Sequence, residues 1–296
     1  MQAGVRGLLE LRVLEALDAL QWLRTGAAVA ERYGISQSTV ARCCGRALQV
    51  LGLELERRDG EWELVGDLTI LQLERRVHQL ARWRGHRPLR LEATYWSATT
   101  FCDPCPAGWI LGASDIVGIG RNLQLLRQRV IDVWVAGLPD VPPAADPDLE
   151  VLVLSDMPVF FTCAPGHPLL GRPQIDLEAV AAFPTLALPG GAYPQVEEAL
   201  QRLGLWNDSV RMARYRRDRW EGRSEEQLTI GYGTPLSMAV SGGALQRLPL
   251  LLPFRSGDAL VVHREFRHHP AFRALATRLA DALAALAVLH PEITLV

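Results

Sequence analysis

The chain has no lysine: its 31 basic residues are all arginine. Every cationic side-chain contact must therefore come from a planar guanidinium, apart from what histidine supplies. Positive charge is not in excess either. With 33 acidic residues the net charge is -2, which excludes a nucleic-acid binder held by bulk charge. Long apolar runs are missing. A stretch such as 248–254 is short and broken by Pro249 and Pro253, far from the roughly 20 apolar residues of a membrane span. Near the start, Arg6 is followed by Glu10, Glu15 and Asp18, which is not the plan of a signal peptide, so a cytoplasmic protein with no membrane partner is expected. Cysteine is sparse, with five residues. Cys102 and Cys105 form a Cys-x-x-Cys, but no second pair stands at zinc spacing, so no metal site is expected. A catalytic constellation is missing as well. His268 and His269 lie near the C-terminal helix without a nucleophile partner, so no enzyme and no cofactor is expected.

What is present begins at 25–52, TGAAVAERYGISQSTVARCCGRALQVLG. Thr25 caps a first helix of good helix formers, and Gly34 ends it in a left-handed turn. Ser36 caps a second helix. Val40, Cys43, Cys44, Leu48 and Leu51 fall on one side of it, while Gln37, Ser38, Thr39 and Arg42 project the other way. That second helix is built like one that reads base edges from its N-terminal end. In 53–65 the residues alternate around Asp59-Gly60, the strongest short hairpin signal. A hairpin there is a wing, with Arg57 and Arg58 at its tip. The wing is acidic, carrying Glu54, Glu56, Glu61 and Glu63 as well as Asp59. The first 87 residues hold 13 arginines against 11 acids, so binding must rely on local placement and on pairing of two copies.

A helix over 7–23 precedes this motif, and an amphipathic helix over 67–83 follows it. In the latter Ile70, Leu73, Val77 and Leu80 recur at the spacing of a two-stranded coiled-coil seam. From 89 onward strands and helices alternate, which implies an α/β domain. Expected strands include 89–94, 114–120, 131–136, 149–154, 159–164, 185–188, 210–215 and 260–264. Expected helices include 107–111, 122–130, 177–182, 193–203, 224–232 and 270–289, with polar turns at 96–100 and 155–158. Ser224 to Gln227 have the form of a capping box.

On these residues the chain resembles the LysR-type transcriptional regulators from end to end. Ile35 to Arg42 looks like that family's recognition-helix motif. Phe161 to Leu170 (FFTCAPGHPL), Ile175-Asp176-Leu177 and Phe183-Pro184 are similar to the most diagnostic part of its effector domain, as are LTIGYG at 228–233 and the tail His269-Pro270-Ala271-Phe272. The resemblance implies a winged helix-turn-helix domain over 1–66, a dimerisation helix over 67–87, and an effector-binding α/β domain over 88–296. The last would be two lobes like the type II periplasmic binding proteins: lobe one 88–157 with 265–296, lobe two 158–264. It implies crossover strands near 155–160 and 259–264, and a structural role for His167. The partners implied are an operator in double-stranded DNA, a small-molecule effector between the lobes, a second copy in a homodimer or homotetramer, and RNA polymerase.

The DNA contacts then expected are Thr25, Ser36, Gln37, Ser38, Thr39 and Arg42, with Arg57 and Arg58 on phosphate. For the effector, the hydroxyls of Ser97, Thr99 and Thr100 beside Trp96, the backbone of Pro189, Gly190 and Gly191, and the charge of Arg121 point to a carboxylate or other anion. The arginines of 216–223 offer further charge, and Trp134 is a second aromatic for the cleft or the core. Two other readings remain open: a redox-responsive regulator using Cys102 and Cys105, and a small-molecule-binding protein or thiol enzyme without specific DNA recognition.

Overall fold

The computed structural model describes residues 8–226 and 228–296. Gly7, the first residue of the expected opening helix, and Gln227, the last of the expected capping box, lie outside them. The chain forms two compact units. One holds residues up to 92 together with 107–113 and 123–133; the other holds 93–106, 114–122 and 134–296.

In the first unit, α1 (Leu11–Leu23), α2 (Gly26–Tyr33) and α3 (Gln37–Leu51) precede a hairpin of β1 (Glu54–Arg58) and β2 (Glu61–Val65). The caps are those the sequence predicts. Thr25 Oγ1 accepts from the Ala28 N–H at 3.1 Å, and Ser36 Oγ accepts from that of Thr39 at 3.2 Å. Gly34 and Gly52 close their helices with positive φ. Asp59 and Gly60 both have positive φ, and β1 and β2 pair in register from Glu54↔Val65 to Arg58↔Glu61, a two-residue hairpin turn. Then comes α4 (Thr69–Trp83), followed by β3 (Leu89–Ala93), which pairs in parallel with β4 (Trp109–Leu111).

Buried charge ties this unit together. Asp132 is fully buried and accepts from Arg82 Nε at 2.8 Å, Arg82 Nη2 at 2.9 Å, Gln79 Nε2 at 3.1 Å and the Arg90 N–H at 2.9 Å. Asp18 of α1 takes Arg75 of α4 at 2.8 Å and Arg90 of β3 at 3.4 Å. Glu15 pairs with Arg87, and Glu92 accepts from the Trp22 indole. The helix-turn-helix is thus joined to α4 and β3 by ion pairs, because α1 carries acids on the face where a core helix usually carries leucine. For this reason the described residues up to 92 group together across the expected boundaries at 66 and 87.

The second unit begins with a helical segment, α5 (Tyr95–Ser97) running into a π-helical turn (Ala98–Cys102). It continues through α6 (Ile119–Arg127, shared with the first unit), β5 (Val133–Gly137), β6 (Leu149–Val153) and β7 (Ser155–Cys163). After these come α7 (Leu177–Ala181), β8 (Leu186–Ala187), α8 (Pro194–Gln201), β9 (Asp208–Ser209), α9 (Arg217–Glu226), β10 (Gly231–Gly233) and α10 (Pro235–Ser241). The chain ends with β11 (Gln246–Ser256), β12 (Asp258–His263), α11 (Pro270–Leu289) and β13 (Thr294–Leu295). Strands β5, β12 and β6 lie side by side in that order, with β12 antiparallel to β6. Strand β7 is the axis of a second sheet, paired antiparallel with β10, β11 and β13. Val159, Phe161, Cys163, Leu169, Val180 and Leu248 form its core.

Several expectations are corrected. Residues 96–100 are helical, since Thr94 Oγ1 caps them by accepting from the Ser97 N–H. Residues 109–111 are a strand, and 107–108 form the turn before it. The run 114–120 is not a strand: only Ile116 makes a bridge, to Arg214, and the helix already starts at Ile119. The expected strand 210–215 is likewise reduced to that bridge, with Asp208 and Ser209 forming the short strand just before it. The turn at 155–158 is the first part of β7. The helix placed at 224–232 starts at Arg217, where Arg217 pairs with Glu221 at 3.1 Å and with Glu225, and residues 231–233 are strand.

Gly257, between β11 and β12, is held by its neighbour. A Cβ there would stand 2.0 Å from the Ser155 carbonyl oxygen. Gly257→Ala should lower stability by about 1–3 kcal/mol through forced backbone displacement. Gly171→Ala, where nothing lies within 4 Å, should be silent. Thermal denaturation of the two variants checks this; equal melting temperatures would contradict it.

Candidate functional site

The α2–turn–α3 motif presents Thr25, Ser36, Gln37, Ser38 and Arg42 as exposed residues, with Thr39 half-buried. Val40, Cys44 and Ala47 of α3 are buried on the other side. Ser36 Oγ lies 2.9 Å from both Ser38 Oγ and Thr39 Oγ1, and Arg42 donates to Thr39 Oγ1 at 3.4 Å. Polar groups and one guanidinium thus cluster at the open N-terminus of α3, where the helix dipole favours phosphate. Arg57 lies over the Trp62 ring at 5.5 Å. Arg58 is bridged by Glu56 at 2.7 Å and Glu63 at 3.6 Å, so its charge is largely offset by the wing itself. Arg24 is a residue the sequence reading did not single out. Its Nε donates to the Gly60 carbonyl at 3.2 Å and lies 3.5 Å from Glu61, and its own carbonyl accepts from the Trp62 indole at 2.7 Å. These bonds fix the angle of the wing against the helices.

On α4, Ile70, Leu73, Val77 and Leu80 are exposed, Leu73 by 63%, while Leu71, Glu74, Arg75, His78, Gln79 and Arg82 are buried. The helix therefore has two occupied uses: an inner face of ion pairs and an outer apolar seam facing solvent.

The second unit contains a cavity of about 170 Å³. Trp96 and Ser97 come to it from the first helical segment, Leu138 and Asp140 from the loop after β5, and Asp258 from the start of β12. Leu188 and Tyr193 flank the 189–192 turn, and Trp206, Trp220 and Tyr232 complete an aromatic wall. Asp258 is a buried acid of the lining. It accepts from Ser97 Oγ at 2.5 Å and from Ser155 Oγ at 3.0 Å, and its own N–H donates back to Ser155 Oγ at 3.0 Å. Burial outweighs these bonds and pushes its carboxyl up to about 6. Asp140 caps α8, accepting from the Gln195 N–H at 2.8 Å and the Val196 N–H at 3.1 Å, and burial raises it as well. Beside the cavity, Glu221 accepts from the Trp96 indole at 3.3 Å and is likewise raised by burial.

Of the expected effector residues, only Trp96 and Ser97 line this cavity. Thr99 and Thr100 donate to the carbonyls of Tyr95 and Trp96 one turn back, at 2.8 and 2.7 Å, as hydroxyls within a helix do. Pro189, Gly190 and Gly191 lie outside it, and the Gly191 N–H donates to Glu197 at 2.8 Å. Arg121 is half-buried in α6 and is not in the lining. The arginines of 216–223 belong to or adjoin α9: Arg216 pairs with Asp218, Arg217 with Glu221 and Arg223 with Asp208 of β9, while Arg219 donates to the Arg211 carbonyl. Trp134 is core. His167 caps the turn at Pro168–Gly171 and rests on Phe183, a structural role. Cys102 is buried and Cys105 half-buried. Among the described residues no group of three or more His, Cys, Asp or Glu side chains is placed to hold a metal, and no helix is long and apolar enough to cross a membrane. The residues that sequence reading missed, Asp140, Tyr193, Trp206, Trp220, Tyr232 and Asp258, are dispersed along the chain and carry no shared motif.

The family model of the LysR substrate binding domain matches residues 118–215. Among curated proteins no sequence matches. Solved structures share the fold over nearly the whole chain. A full-length OxyR from Pseudomonas aeruginosa is similar at 17% identity and a TM-score of 0.53, covering 92% of this chain and 97% of that one. A probable transcriptional regulator from the same organism has 17% identity and a TM-score of 0.55, covering 92% and 96%. CbnR in complex with its target DNA has 14% identity and a TM-score of 0.51, covering 93% and 100%.

Proposed function

We infer, from a chain with a LysR substrate binding domain and the fold of the full-length LysR-type regulators, that it is a DNA-binding transcription regulator controlled by a small molecule. The observation that carries this is the pairing of two parts in one chain: an exposed reading helix and a half-open, largely apolar cavity. CbnR, one of the structures that share the fold, is solved in complex with its target DNA. The exposed seam of Ile70, Leu73, Val77 and Leu80 supports pairing of two copies, and a pair has two α3 helices to read a two-fold site. Occupation of the cavity shifts the balance between arrangements of the dimer, and so DNA spacing or bend. The thiols at 102 and 105 are less suited to be the sensor, because Cys102 is shielded from oxidants.

The test is DNase footprinting on DNA upstream of the gene, at two salt concentrations with competitor. A two-fold footprint that weakens steeply with salt is the expected result. Arg42→Ala should reduce specific affinity about 5- to 150-fold, the equivalent of roughly 1–3 kcal/mol for a base contact. It should leave the dimer mass and the nonspecific binding in place. Unchanged gel-shift affinity for the site would remove Arg42 from the reading face.

A further inference from the structure

If the cavity is the effector site, its lining also sets the effector's chemistry, and the inference rests on that reading. The donors that favour an anion are already used by the protein's own carboxylates. The Ser97 hydroxyl donates to Asp258, and the first N–H groups of α8 donate to Asp140. The Gly191 N–H goes to Glu197, and Thr99 and Thr100 bond back within their helix. Among the described residues the lining contains no Arg or His. A carboxylate placed there would lose its hydration beside two resident acids with no counter-charge, which is costly.

The walls offer something else. Trp96, Trp206, Trp220, Tyr193, Tyr232 and Phe254 face the cavity, joined by Leu138, Leu188, Leu200 and Leu236. Ring stacking and edge contacts with aromatic guests are the natural use of such walls. The volume of about 170 Å³ is slightly larger than an engineered apolar cavity of about 150 Å³ that takes benzene. Few convergent polar groups remain to orient a guest: Ser237 and Ser256 donate to the carbonyls of Thr234 and Leu138, and the hydroxyls of Thr94 and Thr234 accept from the N–H groups of Ser97 and Ser237.

We propose that the cavity binds an uncharged aromatic molecule of one or two rings rather than a carboxylate. The full-length protein is titrated at pH 5, where Asp258 keeps its proton and offers no counter-charge to an amine, with benzyl alcohol, benzylamine and benzoate, which differ chiefly in charge. Binding is read by calorimetry and by fluorescence of the tryptophans on the wall. Benzyl alcohol should bind at least tenfold tighter than benzoate and tighter than benzylamine. Leu236→Trp, which fills the space, should abolish this binding; Val196→Phe serves the same purpose if Leu236→Trp does not fold. Equal or tighter binding of benzoate or benzylamine, failure of all three to bind, or undiminished binding by a folded filled variant would overturn the proposal. The same preparations are footprinted on DNA. Ligand binding without a footprint leaves the cavity chemistry standing and removes the regulator reading. A footprint without ligand binding does the reverse.

Discussion

Asp132→Ala should destabilise the first unit by roughly 3–5 kcal/mol, the usual cost of leaving one member of a buried ion pair without its partner. Asp132 is fully buried and receives four donated hydrogen bonds, two of them from Arg82, which is itself 3% exposed. Alanine would leave that guanidinium, the Gln79 amide and the Arg90 N–H facing an empty, low-dielectric site. Each orphaned donor adds its own desolvation cost, although these do not sum. A loss of this size is a large part of the roughly 5–15 kcal/mol that holds a domain folded. It should appear in calorimetry as a melting transition lowered by on the order of 10 °C. The double variant Asp132→Leu with Arg82→Met is the informative control. Replacing both charges by apolar groups of similar size is often near neutral, so the double variant should be more stable than Asp132→Ala alone. If it is less stable, packing around Asp132 matters more than charge pairing, and the argument fails. The variant also reads function. Because α1, α4 and β3 share this network through Asp18, Arg75 and Arg90, loosening it should weaken DNA binding without any change on the reading face.

How much of this was legible in the sequence depended on how local the signal was. The helix-turn-helix and wing were readable because each boundary is set by one residue acting on its neighbours: Thr25, Gly34, Ser36, and Asp59-Gly60. The C-terminal helix, bounded by Pro270 and Leu289, was readable for the same reason. Short apolar runs were not. Residues 107–111 serve equally as helix or strand until β3 is available as a partner, and periodicity cannot separate the two over five residues. The ion pairs of Arg217 with Glu221 and Glu225 extend α9 forward, which the arginine-rich sequence alone does not reveal. The cavity was the least legible part. Trp96 and Ser97 stand out in the sequence only as part of a polar turn, which the structure makes helical, and Asp258 is 161 positions from Ser97 and meets it only through the tertiary fold. The acids of α1, which look like a solvated face, are core residues because Arg75, Arg87 and Arg90 come to them.

Asp258→Asn should raise stability at neutral pH and leave it nearly unchanged in acid. The carboxyl is raised from 3.8 to about 6 in the folded chain, with burial as the leading cause and the hydroxyls of Ser97 and Ser155 opposing it. A raised acid makes folding less favourable once the unfolded chain has given up its proton. Below about pH 4 both states are protonated and there is no penalty. Between about pH 4 and 6 the unfolded chain ionises while the folded chain does not, so stability falls as pH rises. Above about 6 the penalty is constant, near 3 kcal/mol for a shift of roughly two pKa units. Asparagine has the same shape and no charge, and it can still accept from Ser97 and donate to Ser155. The gap between variant and parent should therefore grow from near zero at pH 4 to its full size by about pH 7. Asp140 and Glu221 are raised in the same direction, so the parent's own pH profile is a sum. The difference between the two proteins isolates Asp258. Melting curves of both at acid and neutral pH measure it, and a gap that does not change with pH would contradict the assignment. The same sign reaches the cavity. An apolar guest dehydrates Asp258 further, so the parent should bind benzyl alcohol more weakly above about pH 6, whereas Asp258→Asn should bind it equally across that range.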